Sequence, residues 1–437
     1  MCIEKLLVAS CHPSRWSWYY TAVIAIAVYT FVDVIVIESF SVPITFSSNS
    51  ITKFKFPPQP IVLHSASLEE AESLIFGTIS SSGNKKKRTD TDDHEPISPI
   101  RRVYETWMWS YAQDPVTQPP TTYKINYRVE GSNGIHPPIL LVHGFGANIN
   151  HFRYQYGPLV DAGYCVYAID LLGFGASEKP YDAANVGFSI ELFTKQIHDF
   201  LRYIETKDYN GKDSTPQWTL AGNSIGGLCC LCVAAEMEKQ KQQHPNDKGN
   251  DVSISSIVLF NTSGGMTGFR YEDVPIFVQP ILAFFQYVVL GPVIGSYFFR
   301  NFRSRDNIEQ ILKEAGVYGD RTNVDDDLLE ILLRPADDEN AEQVFLAVFG
   351  GPAGPTAESI LPFVKVPVLA LWGSDDPWTP IDGGLHPGNA LPPYHGTNEF
   401  NLVPLDGAGH CPHDECPDIV NEKMITFIKD IASNNSI

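Results

Sequence analysis

A serine in a glycine-rich turn is the residue best suited to chemistry in this 437-residue chain. The run GNSIGG at 222–227 follows a short apolar strand and precedes an apolar helix. A tight turn from strand to helix strains the central serine and exposes its hydroxyl, and small neighbours avoid a clash. Ser224 is therefore the candidate nucleophile. Ser263 lies in a similar run without the upstream glycine or the following helix, so we expect a loop role for it.

A serine nucleophile needs a base and a carboxylate, and both follow it in the chain order that suits this turn. His410 ends the glycine-rich segment DGAGH, which follows a strand-like stretch. Asp375 and Asp376 lie just after an earlier strand. We favour Asp376 as the acid, because a residue before proline is held extended, and we keep Asp375 as the fallback. The position after the preceding strand is Asn261, which offers no carboxylate.

The segment HGFG at 143–146 follows a short buried strand and is the candidate oxyanion loop. The tetrahedral intermediate of acyl transfer needs backbone N–H donors. On this architecture they come from the residue after the nucleophile and from one residue in the first loop. Ile225 and Phe145 are therefore predicted to form the oxyanion hole. We expect His143 to hydrogen-bond the backbone of this loop rather than to act as a second base.

Short apolar strands alternate with helical stretches along the body of the chain. An alternating segment at 123–129 suits an edge hairpin, and the candidate buried strands lie at 138–142, 165–169, 218–221, 256–260 and 366–372. Helical stretches fall between them, for example at 189–204 and 227–237. This alternation predicts an α/β fold with a mostly parallel sheet and helices on both faces. Polar segments at 205–216 and 238–253 are interpreted as surface loops.

The segment from about 265 to 360 is interpreted as an inserted helical lid over Ser224. Residues 274–299 within it carry no charge, but three prolines divide them into pieces that suit packed helices better than a membrane span. The aromatic and aliphatic side chains of the lid favour a large apolar acyl or alcohol group as substrate. They also predict a peripheral contact between the lid and a membrane.

A cluster of two histidines and two cysteines has a zinc-like composition, and its members are His410, Cys411, His413 and Cys416. Four ligands packed this closely in the chain are awkward for one tetrahedral ion, so we expect no metal site. No cofactor is expected either. His413 and Glu415 are interpreted as the start of a closing helix, where a carboxylate is favourable.

The charge of the chain is uneven. Residues 1–102 hold equal numbers of acidic and basic side chains, so the net charge of −20 belongs to residues 103–437. An acidic body repels phosphate groups, which argues against a nucleic-acid partner and a polybasic membrane anchor. The eight cysteines are too sparse for a disulfide scaffold, and the three within 228–235 are interpreted as buried packing residues. The sequence indicates no oligomeric state.

The first 102 residues combine two targeting signals. Residues 1–39 include an uncharged stretch at 16–32 that suits the apolar core of a signal sequence. Residues 40–102 are interpreted as a transit-peptide-like stretch, free of acidic residues as far as 68, and a charged flexible linker. The arrangement resembles the two-part plastid presequence of algae with secondary plastids and predicts a plastid location. The alternatives are a secretory signal with a pro-segment, or a membrane anchor at residues 16–37.

Five ordered motifs resemble the α/β-hydrolase superfamily, and they are HGFG at 143–146, YAIDLLGFGASEKP at 167–180, GNSIGG at 222–227, LWGSDDPW at 371–378 and GAGHCPHDECP at 407–417. The resemblance covers 103–437 apart from the two polar segments. Within the superfamily, the motifs are similar to those of the plant and cyanobacterial branch that includes pheophytinase and related chlorophyll dephytylases. It implies an α/β-hydrolase fold and a serine hydrolase that cleaves an ester of a hydrophobic small molecule, with the phytyl ester of a chlorophyll derivative as the candidate. His410 would act first as general base and then as general acid.

Two other classes of function fit the same fold. A lipase, a thioesterase or an acyltransferase would use the same residues on another substrate. A non-catalytic protein could use the fold only to bind a ligand, although a full set of nucleophile, acid, base and oxyanion loop argues against that. A haloalkane dehalogenase or an epoxide hydrolase would need a carboxylate at the position of Ser224.

Overall fold

The computed structural model describes residues 101–132, 136–211, 215–243, 252–266, 276, 279–280, 292–381 and 400–434. The predicted signal-like segment, the transit-peptide-like stretch and nearly all of the linker lie outside the described residues. The same holds for most of the first part of the predicted lid.

The described residues form an eight-stranded sheet. Its strands are β1 (Arg101–Tyr111), β2 (Thr121–Gly131), β3 (Ile139–Val142), β4 (Val166–Ile169), β5 (Gln217–Asn223), β6 (Ser253–Phe260), β7 (Val368–Gly373) and β8 (Phe400–Leu405). They lie side by side in the order β1-β2-β4-β3-β5-β6-β7-β8. Strands β1, β2 and β4 pair antiparallel, and from β4 to β8 every pairing is parallel. The predicted mostly parallel sheet is confirmed.

Helices cover both faces of this sheet. Outside the segment between β6 and β7, which contains α5 to α9 and is described below, the helices are α1 (Tyr156–Asp161), α2 (Ala183–Val186), α3 (Ile190–Asp208), α4 (Ile225–Gln243), α10 (Pro412–Glu415) and α11 (Pro417–Asn434). Side chains alternate between the two faces of a strand, so neighbours in β3 enter different cores. Leu140 and Val142 pack with α3 and α4, whereas Ile139 and Leu141 pack with α1 and α11.

Both predicted polar loops begin later than expected. Helix α3 begins after Ser189, whose hydroxyl accepts a hydrogen bond from Leu192 N, and it continues to Asp208. Helix α4 continues to Gln243, well into the segment 238–253. The Glu, Lys and Gln residues that end α4 lack apolar periodicity but have high helix propensity, so they extend a helix already nucleated by packing.

A helical segment is inserted between β6 and β7. Its described helices are α5 (Pro292–Phe302), α6 (Arg305–Glu314), α7 (Asp326–Leu333), α8 (Ala341–Phe349) and α9 (Ala357–Ile360). Short 3₁₀ turns also occur, at Ile149–Phe152, Arg321–Asn323, Arg334–Asp337 and Leu361–Phe363. In the part of the chain that the structure describes, no helix has both the length and the apolar character of a membrane span.

A partly buried ion network ties this insertion to the rest of the domain. Arg153 follows the 3₁₀ turn after β3, and its Nη1 donates to both carboxylate oxygens of Asp325 at 2.7 and 2.9 Å. Its Nε and Nη2 donate to the two oxygens of Asp414 at 2.7 and 3.0 Å. The Asp414 side chain is fully buried, so the guanidinium group compensates a carboxylate that has no access to water.

Replacing Arg153 by Met should lower the free energy of unfolding by about 3–5 kcal/mol, because Asp414 would be left buried without its cation. Urea unfolding followed by circular dichroism measures this. Arg305→Met is the matched control, since Arg305 forms an exposed ion pair with Asp326 and its loss should change stability little. Equal effects of the two substitutions would show that the buried network contributes no more than a surface pair.

Candidate active site

The turn that carries Ser224 has the strained geometry that the sequence predicts. Ser224 joins β5 to α4 with φ at +54°, a left-handed conformation that is uncommon for a residue with a side chain. A Cβ atom on Gly222 would lie 2.5 Å from Gly227 N, and one on Gly226 would lie 2.3 Å from Val142 O. Only residues without a side chain fit at these two positions, so the turn can hold the half-buried Ser224 against β3 and its loop.

The structure distinguishes the two adjacent carboxylates. Asp375 is exposed, whereas Asp376 is 2% exposed. Asp376 Oδ1 accepts hydrogen bonds from Trp378 N at 2.7 Å and Thr379 N at 3.1 Å. Its Oδ2 accepts from Asn261 Nδ2 at 2.6 Å, from His410 Nδ1 at 2.7 Å and from Thr379 Oγ1. Asp376 is therefore the residue in contact with the candidate base.

These contacts keep the Asp376 carboxyl ionised. Burial by itself would raise the pKa of Asp376, but the charge of His410 and the hydrogen bonds from His410 and Thr379 outweigh burial and hold the pKa far below its usual value. A permanently ionised partner fixes the proton of the imidazole on Nδ1. Nε2 of His410 is then the nitrogen that can exchange a proton with a substrate or a nucleophile.

His410 is held beside the nucleophile turn by its backbone. Its carbonyl oxygen accepts a hydrogen bond from Asn223 Nδ2 at 3.0 Å, and Asn223 directly precedes Ser224. The same amide also donates to Phe260 O, at the end of β6, at 3.0 Å. The structure thus brings Asp376 and His410 into direct contact and places Ser224 one residue from the His410 backbone contact. Among the described residues, none forms a hydrogen bond with the Ser224 hydroxyl.

The loop after β3 lies against the Ser224 turn. A Cβ atom on Gly144 would lie 3.1 Å from Ser224 Cβ. Among the described residues, none accepts a hydrogen bond from the backbone N–H of Phe145 or Ile225. Their positions, on the loop beside the serine and directly after it, are those predicted for an oxyanion hole.

His143 stabilises this loop from inside the protein. The ring is fully buried, its Nδ1 donates to Gly144 O at 2.7 Å, and its Nε2 accepts from Leu171 N at 3.0 Å. Burial lowers the pKa of His143, which agrees with a neutral ring that uses each nitrogen once. The expectation that His143 bonds the backbone is confirmed.

An aromatic cluster from the insertion packs on the candidate oxyanion loop. The Phe145 ring contacts Phe345 and Phe349 of α8, with ring centroids 5.5 and 6.1 Å apart. Phe299 and Phe302 of α5 pack against Phe345 at 5.2 and 4.9 Å. The space beside the candidate oxyanion hole is therefore bordered by apolar rings.

A second aromatic side chain lies beside the candidate base. The Trp378 ring is 6.1 Å from the His410 ring, and 41% of Trp378 is exposed. An exposed indole next to the base offers a flat apolar surface to a ligand.

Sequence reasoning missed two residues of this site. The sequence marks Asn261 only as a position without an acid, yet its Nδ2 donates to Asp376 and its Oδ1 accepts from Gly373 N at 2.8 Å. No sequence pattern indicates Thr379, although its hydroxyl and its backbone N–H both donate to Asp376. The position of Asn261 at the carboxyl end of β6, beside β7, is the signal that could have identified it.

The cluster from 410 to 416 has other partners than a metal. The His413 ring is fully buried and packs against His151, Phe152 and Phe260 at 4.7, 5.1 and 5.4 Å. In the described part of the chain, no group of three or more His, Cys, Asp and Glu side chains could hold a metal ion. The predicted helix start is found here, because His413 and Glu415 lie in the short helix α10, which Cys411 precedes as its cap and which α11 follows. The Glu415 carboxylate accepts hydrogen bonds from the backbone N–H groups of Cys411 and Gly409.

The three cysteines of α4 are buried as predicted. They are Cys229, Cys230 and Cys232. Burial raises the pKa of all three thiols, and that of Cys232 to about 12. A thiol with a raised pKa is a poor nucleophile, so these residues pack in the core.

Comparisons with known proteins agree with this fold. The model of the alpha/beta hydrolase family matches residues 139–423. The chain is 26% identical over 366 residues to the chloroplastic pheophytinase of Arabidopsis thaliana, covering 71% of this chain and 65%, just under two thirds, of that protein. It is 24% identical over 335 residues to the uncharacterized hydrolase YugF of Bacillus subtilis, covering 77% and 100%. The solved structure of the epoxide hydrolase CorEH superposes with a TM-score of 0.54 at 16% identity, covering 76% and 100%, a likeness of fold alone.

The pKa of Asp376 predicts how its contribution to stability varies with pH. A carboxyl whose pKa is lower in the folded state stabilises the fold above its unfolded pKa of about 3.9, and that stability is lost as the pH falls through the folded pKa. Asp376→Asn should therefore lower the free energy of unfolding by a constant amount at neutral pH, and by less below about pH 4. Urea unfolding across this range measures it. Asp375→Asn, at the exposed neighbour, should have little effect, and a deficit of Asp376→Asn that grew in acid would contradict the assignment.

Proposed function

The chain belongs to the alpha/beta hydrolase family, and on that premise we propose that it is a serine hydrolase of carboxylic esters with a hydrophobic group. Ser224 would be the nucleophile, His410 the base and Asp376 the acid. The observation that carries this proposal is the 2.7 Å contact between His410 Nδ1 and the buried Asp376 carboxylate, beside a serine at positive φ. The serine at the nucleophile position favours ester hydrolysis over epoxide or haloalkane chemistry, which would need a carboxylate there.

The proposed reaction has two steps. His410 Nε2 takes the proton of Ser224 Oγ while the oxygen attacks the ester carbonyl, and the N–H groups of Phe145 and Ile225 donate to the resulting oxyanion. The intermediate collapses to an acyl-enzyme, and His410 gives its proton to the departing alcohol. A water molecule then attacks the acyl carbon with the same base, which releases the carboxylic acid and restores Ser224.

The apolar surroundings of the site support a large hydrophobic substrate. The rings of Phe145, Phe345 and Phe349 border the oxyanion loop, and Trp378 lies beside the base. Pockets match the surface that they bury, so an extended apolar acyl or alcohol group fits better than a small polar ester. Similarity to a chloroplastic pheophytinase supports the phytyl ester of pheophytin as the first substrate to test and a plastid as the location.

Ser224→Ala should abolish hydrolysis of p-nitrophenyl esters and covalent labelling by a fluorophosphonate probe, because no other group supplies the nucleophile. The full-length chain would be assayed for both. Ser263→Ala is the matched control, since the Ser263 hydroxyl donates to Gly265 O and has no proposed role in the reaction. Labelling that persists in Ser224→Ala, or that disappears in Ser263→Ala, would contradict the nucleophile.

Longer esters should be better substrates than short ones. Each methylene buried at the site stabilises the complex by about 0.8 kcal/mol, which raises kcat/KM by up to about fourfold. A series of p-nitrophenyl esters, followed by pheophytin with detection of released phytol, measures this. A preference for acetate over long acyl chains would contradict a hydrophobic substrate, and turnover of long acyl esters without release of phytol would favour a lipase or thioesterase.

A further inference from the structure

The loop that carries His410 is hydrogen-bonded to the helical insertion as well as to the end of β5. His410 N donates a hydrogen bond of 2.7 Å to Val317 O, in the segment between α6 and the following 3₁₀ turn. The two backbones are in close contact here, because a Cβ atom on Gly319 would lie 2.1 Å from Gly407 O and 3.1 Å from Gly409 N. The insertion therefore bonds the backbone of the proposed base.

Glu415 links the same two segments through its side chain. Oε1 accepts from Gly409 N at 2.9 Å and from Cys411 N at 3.2 Å, the residues on either side of His410. Oε2 accepts from Gly409 N at 3.0 Å and from Gly319 N of the insertion at 2.7 Å. One carboxylate thus holds both neighbours of His410 and the inserted segment, and hydrogen bonds from backbone N–H groups to a charged acceptor are the strong kind.

A second set of contacts anchors the same part of the insertion. The Tyr318 hydroxyl donates to Asp414 Oδ2 at 3.1 Å and is 2.9 Å from His151 Nε2. Asp414 is also bonded to Arg153. Residues 317–319 are therefore held by their backbone, by Glu415 and by the Tyr318 hydroxyl at once.

We propose that Glu415 is a positioning residue for the general base, and that it makes the placement of His410 depend on the insertion. The proposal rests on the proposed function, because the placement of His410 matters to the rate only if His410 is the base. Glu415 acts through the backbone on either side of the histidine and not on the substrate. An error of about 1 Å in the position of a catalytic group can cost about 100-fold in rate.

Glu415→Gln tests the link with little change in shape. One amide oxygen can still accept from Gly409 and Cys411, but the NH₂ group would face Gly319 N–H, donor against donor. We expect kcat to fall by about 10- to 100-fold with KM nearly unchanged. The downfield proton resonance of the bond between His410 Nδ1 and Asp376 should shift or broaden. Glu422→Gln, at an exposed glutamate of α11, is the matched control and should leave both readouts as in the wild type.

Gly319→Ala tests the same link from the insertion. The added methyl group would meet Gly407 O and push the two backbones apart. It should lower kcat and disturb the same proton resonance. Gly157→Ala in α1, where an added Cβ meets nothing within 4 Å, is its control. Both kcat and the proton resonance are measured on folded protein. A variant with a lower melting temperature but wild-type kcat and resonance would therefore identify a purely structural role.

The outcomes separate this inference from the proposed function. If the wild type hydrolyses esters and His410→Ala abolishes the activity, while Glu415→Gln and Gly319→Ala keep wild-type kcat and resonance, the positioning role is wrong and the proposed function stands. If His410→Ala hydrolyses the same esters as well as the wild type, the proposed function fails, and the positioning role fails with it.

Discussion

The buried carboxylate of Asp376 is the constraint on which the rest of the site depends. Removing a carboxylate from water costs several kcal/mol unless hydrogen bonds and an opposite charge replace the solvent. The replacements come from different segments, namely Asn261 after β6, Thr379 in the loop after β7, and His410 after β8. Because β6, β7 and β8 are parallel neighbours, their carboxyl ends meet at one edge, and the sheet order delivers the donors to the acid.

Close backbone contacts then fix the distances between the loops. A Cβ atom on Gly373, at the end of β7, would lie 1.9 Å from Gly409 O, and one on Gly226 would lie 2.3 Å from Val142 O. The loop after β7, which carries Asp376, therefore touches the loop that carries His410, and the turn that carries Ser224 touches the end of β3. Side chains at these positions would separate the loops by more than a catalytic geometry tolerates.

The sequence predicts those parts of the candidate site that depend on local pattern. Ser224, Asp376 and His410 each lie in a short motif at the end of a strand, and their chain order suits the fold. The sequence does not indicate the contacts of Asn261 and Glu415, because these contacts are made with residues distant in the chain, such as Asp376 and Gly319. The sequence does not predict strand β1 either, although Trp107, Trp109 and Tyr111 recur at every second position in the manner of a half-buried strand.

The helical insertion contacts both halves of the proposed machinery. Its helix α8 packs Phe345 and Phe349 on Phe145, beside a proposed oxyanion donor, and its residue Val317 accepts the hydrogen bond of His410 N. An apolar substrate group that packs against these rings would stabilise the insertion in the position that holds the base. Binding energy from the unreactive part of the substrate would then be used to order the reacting groups, so that a longer apolar chain increases kcat as well as lowering KM.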